Sequence, residues 1–110
     1  MPEQYDAKGV FQRRMKEARL QRGLSQKQLG VLVGLDEFVA STRINRYEVG
    51  VHEPDLATMQ RIATVLGVPL AYLVADDDHL ATMILRFSAL DDAGKRQLIE
   101  SLGTEQPITE

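Results

Sequence analysis

An all-α fold is predicted by three observations. Gly23, Gly34, Gly50, Gly67 and Gly103 each follow a segment whose apolar residues recur at helical spacing. A glycine just past such a segment is the usual left-handed stop. No stretch alternates apolar and polar residues as a half-buried strand would, and there is no internal repeat or low-complexity tract.

Read backwards from the glycines, the helices appear in order. The first spans about residues 8–22, with Phe11, Met15, Ala18 and Arg22 on one face. The second spans about 26–33. Ser25 and Gln28 have the spacing of a capping box, and Leu24 and Leu29 that of a hydrophobic staple. Gly30 lies inside this helix, where it costs about 1 kcal/mol relative to alanine. Its use there is to let another helix approach closely.

The third helix ends at Val49, before Gly50. Ile44 and Tyr47 look inward, while Ser41, Thr42, Arg43, Asn45 and Arg46 cover much of the outer face. All five are types that bond phosphates or base edges. The fourth runs from about Leu56 to Leu66, capped by Asp55, with Leu56, Met59, Ile62, Ala63 and Leu66 inward. The fifth is short, with Pro69 at its first position and Leu70, Leu73 and Val74 as its apolar residues.

The run Asp76–Asp78 marks a boundary and caps a sixth helix carrying Leu80, Met83, Ile84 and Phe87. A seventh begins near Asp92 and carries Leu98, Ile99 and Leu102.

At 110 residues the chain is long enough for one self-sufficient core without disulfides or metal. The absence of cysteine excludes disulfides, thiolate metal sites and cysteine nucleophiles. His52 and His79 lack a second His or Cys at ligand spacing, so no metal or other cofactor is expected. There is no nucleophile elbow and no phosphate loop, and Ser25, Ser41, Ser88 and Ser101 read as caps or surface residues. An enzyme is therefore not expected. No apolar run approaches the roughly 18 residues of a membrane helix. The N-terminus lacks a signal-peptide profile. A cytoplasmic protein is the expectation.

The net charge of −3 hides an asymmetry. The balance from Lys8 to Arg46 is +6, and from Asp76 to Glu110 it is −5. Phosphate binding depends on a local basic face more than on the total.

The segments SQKQLGVLVG and STRINRYEVG, with MKEARLQRG upstream and PDLATMQRIATVLGVPLAYLV downstream, resemble the Cro and phage-repressor (Xre-type) regulators. The resemblance covers residues 8–75. It implies a five-helix lambda-repressor-like DNA-binding domain, leaving residues 76–110 as a C-terminal two-helix extension. It also implies a transcriptional regulator, a repressor by analogy. Such a protein binds a palindromic operator in double-stranded DNA as a homodimer, with its third helix in the major groove.

Carried over by position, Gln26 matches a phosphate-bonding residue and Gln28 a neighbour that can face DNA. Ser41, Thr42 and Arg43 match the start of the base-reading segment, and Asn45 and Arg46 positions farther along it. Arg19 and Glu48 match a structural ion pair between the first and third helices.

Two departures from the family pattern bear on these assignments. About four extra residues lie between Gly34 and Ile44. Either the third helix begins a turn earlier, capped by Asp36, or the loop is longer. The better cap at Asp36 favours the longer helix. The segment GVHEP lacks the usual lysine or arginine, so His52 only partly replaces that charge.

The apolar residues of the last two helices exceed what a two-helix hairpin can hide. They pack on the domain or pair with a second chain, and two-fold operator symmetry favours dimerisation. A different function on the same fold, a protein-interaction module that does not read DNA, is the alternative.

Overall fold

The computed structural model describes residues 7–103, excepting the side chains of residues 7 and 8. Its elements are α1 (Ala7–Gln21), α2 (Gln26–Leu32), α3 (Ala40–Val49), α4 (Leu56–Leu66), α5 (Leu70–Val74), α6 (Asp78–Ser88) and α7 (Asp92–Ser101). No strand occurs among the described residues.

The core lies among the first five helices. Phe11, Met15 and Ala18 of α1 meet Leu29 of α2, Ile44 and Tyr47 of α3, Ile62, Ala63 and Leu66 of α4, and Leu73 of α5. Each set repeats at three- or four-residue spacing, so each helix turns one stripe inward. Full burial of an aliphatic or aromatic side chain stabilises by about 1.5–3 kcal/mol. This cluster is therefore what orders the short helices, which are too short to persist alone.

Helix ends are fixed locally. Ser25 accepts a hydrogen bond from the Gln28 backbone N–H at 2.9 Å, and Gln28 Oε1 accepts from the Ser25 N–H at 2.8 Å, closing the capping box. Asp55, Asp77 and Asp91 each accept from the N–H three residues on, at 2.8, 2.8 and 2.7 Å. Gly50 ends α3 at φ 85°, a conformation costly for a residue with a Cβ.

Three sequence expectations are corrected. The third helix does not start at Asp36. It starts at Ala40, and its N-cap Val39 supplies no side-chain bond. Residues 37–39 instead form a closed turn: Asp36 Oδ1 accepts from the Phe38 N–H at 2.8 Å, and the Asp36 carbonyl from the Val39 N–H at 3.0 Å. Leu56, expected inward, is 68% exposed, and Arg22, placed on one face with Phe11, Met15 and Ala18, is exposed although those three are buried. The Arg22 guanidinium lies over Gly67, where an added Cβ would come within 2.7 Å of Nη1. Pro69 is the N-cap of α5 rather than its first residue, since its ψ of 145° is extended.

The last two helices stand apart from the core. Helix α6 buries only Ala81, and α7 buries no residue. Besides the packing of α6 on α5, what joins α6 to the domain is Arg14, a cation only 4% exposed. Its Nε and Nη2 donate to the Ala75 carbonyl at 3.1 and 2.8 Å, and Nη2 also reaches Asp78 Oδ1 at 3.1 Å. The guanidinium sits 5.3 Å from the centre of the Tyr72 ring, a cation–π distance. One side chain of α1 thus grips the end of α5 and the start of α6.

Candidate nucleic-acid interface

Helices α2 and α3 pack so closely that Gly30 has no room for a side chain. A Cβ there would lie 2.6 Å from Ala40 Cβ, 2.9 Å from its carbonyl oxygen and 3.0 Å from its Cα. The interior glycine therefore does what its sequence position suggests. It brings the first turn of α3 against the middle of α2 and fixes the angle at which α3 leaves the body.

On α3, Ala40, Ile44, Tyr47 and Glu48 are buried, at spacings of four, three and one. That leaves Ser41, Thr42, Arg43, Asn45 and Arg46 exposed on one continuous outward surface. The hydroxyls, amide and two guanidiniums supply donors and acceptors suited to phosphates and base edges.

This surface is held from beneath by an ion pair. Arg19 Nε donates to Glu48 Oε2 at 2.6 Å, Arg19 Nη2 to Glu48 Oε1 at 3.2 Å, and Arg19 Nη1 to the Leu24 carbonyl at 2.9 Å. Both side chains are buried. The paired geometry is the two-pronged form that compensates charge burial best. Gln26, the first residue of α2, extends the network outward. Its Nε2 donates to Glu48 Oε1 and to Asn45 Oδ1, both at 3.1 Å. Gln26 is thus half-buried and bound to α3. Gln28 is exposed, with its oxygen held in the capping box.

Sequence reasoning missed three features of this region. The first is the Gln26–Asn45 bond, which needs the spatial pairing of α2 with α3. The second is Phe38, 90% exposed on the turn just before α3. Glu37 beside it is tied to Lys27 of α2 at 3.6 Å. The third is Arg14, whose position three residues from Phe11 and four from Ala18 was the available signal. At the far end of α3, Arg43, Arg46, Tyr47, His52 and Glu53 line a surface cleft of about 380 Å³. His52 therefore lines the same cleft as two guanidiniums of α3.

Among the described residues no group of His, Cys, Asp or Glu is placed to hold a metal ion. Within the aspartate run Asp77 is a cap and Asp78 the partner of Arg14 and, at 3.7 Å, Arg13. No described helix is long and apolar enough to cross a membrane.

The model of the family described as Helix-turn-helix matches residues 15–73, which run from α1 to α5. The chain belongs to the helix-turn-helix family of the Cro and phage-repressor type. This helix-turn-helix chain is 31% identical over 96 residues to the cryptic phage CTXphi transcriptional repressor RstR of Vibrio cholerae, with 81% of each protein covered. It is 31% identical over 65 residues to the SPbeta prophage-derived uncharacterized HTH-type transcriptional regulator YonR of Bacillus subtilis (strain 168), covering 59% of this chain and 56% of that protein. Among solved structures, that of transcriptional regulator BswR superposes with a TM-score of 0.77 at 47% identity, covering 83% of this chain and 90% of that one. The protein is accordingly a DNA-binding transcriptional regulator of the helix-turn-helix type and not an enzyme.

Proposed function

We propose that this helix-turn-helix protein is a cytoplasmic repressor that binds a palindromic operator as a homodimer. Helix α3 of each subunit lies in a major groove. Ser41, Thr42, Arg43, Asn45 and Arg46 face base edges and phosphates there, while Gln26, through its main-chain N–H at the start of α2, and Gln28, through its free amino end, contact the flanking backbone. Two half-sites then lie about one helical turn, roughly 34 Å, apart. The observation that carries this reading is the division of α3, with Ser41, Thr42, Arg43, Asn45 and Arg46 exposed and Ala40, Ile44, Tyr47 and Glu48 buried. The relative named as a transcriptional repressor supports repression.

Residues 76–110 form the dimerisation element in this reading, distinct from the DNA-binding domain at residues 8–75. The support is apolar surface that the single chain leaves open. Leu80, Met83, Ile99 and Leu102 are 46%, 42%, 51% and 70% exposed.

The test joins oligomeric state to DNA binding. Sedimentation should give a dimer, and Ile99→Glu should give a folded monomer that binds operator duplex far more weakly. Affinity should fall steeply as salt rises, because phosphate contacts release counterions. A wild-type protein that retains no duplex even at low salt refutes the reading and leaves the protein-interaction module in its place.

A further inference from the structure

The side chains on the outer surface of α3 are not equally free to choose which atom they present. Asn45 is bound on one side, and the chain of bonds behind it has a fixed direction. It begins at Arg19, whose guanidinium has donors and no acceptor. The Glu48 carboxylate therefore accepts, and it has no hydrogen to give Gln26. The Gln26 amide must turn its amino end toward Glu48 Oε1, at 3.1 Å, because the reverse orientation would oppose two oxygens. The other hydrogen of that amino group goes to Asn45, also at 3.1 Å. Asn45 must then turn its oxygen toward Gln26, which leaves its Nδ2 amino group facing outward. The two ends of an amide are nearly equal in shape, so this bonding chain is what decides between them.

We propose that Asn45 is a specificity-determining residue that offers DNA a hydrogen-bond donor, with Gln26 as the residue that sets its polarity. The inference rests on the reading of α3 as a major-groove helix. In that groove guanine O6 and N7, adenine N7 and thymine O4 accept, whereas the cytosine edge presents an amino donor. A donor-presenting Asn45 therefore excludes cytosine at the position it faces. An asparagine with both ends free would instead pair in two-pronged fashion with adenine.

The test is selection of bound sequences from a random duplex pool by four proteins: wild type, Asn45→Asp, Asn45→Ala and Gln26→Ala. For wild type, one position in each half-site should be depleted of cytosine. Asn45→Asp preserves the shape and the bond from Gln26 but replaces the outward amino group with an acceptor. At that position cytosine should rise by about tenfold over wild type, with the rest of the motif unchanged. Asn45→Ala suits a helix and keeps the test valid if the new carboxylate impairs folding. It should make the same position indifferent.

Gln26→Ala frees the Asn45 amide to turn either way, so discrimination at that position should relax. A lost phosphate contact would lower affinity for every sequence alike and would leave the motif intact, so the two effects separate. A wild-type motif with unchanged selectivity in both Asn45 variants overturns the inference alone. So does a Gln26→Ala protein that still excludes cytosine at that position. If the wild type selects no motif, the DNA-reading role of α3 and this inference fail together.

Discussion

Removing one member of the Arg19–Glu48 pair should lower the stability of the domain by a large fraction of its total. Both residues are buried, at 7% and 8% exposure, and Arg19 makes three side-chain bonds that a neutral side chain cannot replace. Arg19→Met keeps comparable length but leaves Glu48 in a dry site with only the Gln26 amide, and deprives the Leu24 carbonyl of its donor. Stranding a buried charge costs about 3–5 kcal/mol, against a total stability of about 5–15 kcal/mol for a domain of this class. Each kcal/mol lowers Tm by about 4–8 °C at this size. The expected fall is therefore about 12 °C or more.

Urea titration followed by circular dichroism measures the loss, provided the slope with denaturant is unchanged. The double variant Arg19→Met, Glu48→Met should recover most of the stability, because no charge remains stranded. A single-variant loss under about 1 kcal/mol would mean that the pair behaves as a solvated surface pair, and the reasoning fails. It fails equally if the double variant is no more stable than the sum of the single losses.

Gly30→Ala gains about 1 kcal/mol in helix preference but drives a methyl group into Ala40 at 2.6 Å, with backbone atoms at 2.9 and 3.0 Å. Overpacking of about 1–3 kcal/mol should win, so both thermal stability and operator affinity should fall. Arg43→Ala should weaken cognate-site binding by about 1–3 kcal/mol if the guanidinium reads a base. An equal loss on random duplex, measured by fluorescence anisotropy, would make it a phosphate contact.

The Thr58 side chain and N–H, and then the Arg61 charge, hold the Asp55 carboxyl below its ordinary 3.8. A lowered folded-state pKa means the cap contributes fully above 3.8 and is lost as pH falls through the lowered value. The Tm gap between wild type and Asp55→Ala should therefore stay constant at neutral pH and close in more acidic buffer. A gap that does not change with pH refutes the assignment.

The parts of this molecule legible from sequence are those decided within one or two helical turns. Ser25 with Gln28, Asp55 with its following turn, and the alternation of Ile44 and Tyr47 with exposed polar residues all involve near neighbours. Gly30 was legible because an interior glycine costs stability and so calls for a packing reason. The start of α3 was not. Asp36 has the chemistry of an N-cap, yet it bonds the N–H two residues on and closes a turn, whereas Asp55, Asp77 and Asp91 bond the N–H three residues on and open helices.

What decides the matter is tertiary. The small Ala40 must meet Gly30, and a capping preference of about 1 kcal/mol yields to that contact. Leu56 misled for a related reason: it lies on the first turn of α4, beyond the reach of the cluster that buries Ile62 and Leu66. Arg14 was hidden because its main partner is the Ala75 carbonyl, and backbone acceptors carry no sequence signature.

Arg14 also bears on how far apart two reading heads can be. In a dimer joined through α6 and α7, the path from one α3 to its symmetry mate runs through α1, the guanidinium and α6. A stiff joint there acts as a ruler that accepts one operator spacing and refuses others. With Arg14→Met the joint loses its hold on Ala75 and Asp78, and the dimer should tolerate half-sites moved by a base pair, at the expense of affinity for the native spacing. Binding to a set of operators differing only in the length of the central spacer would measure how strict the ruler is.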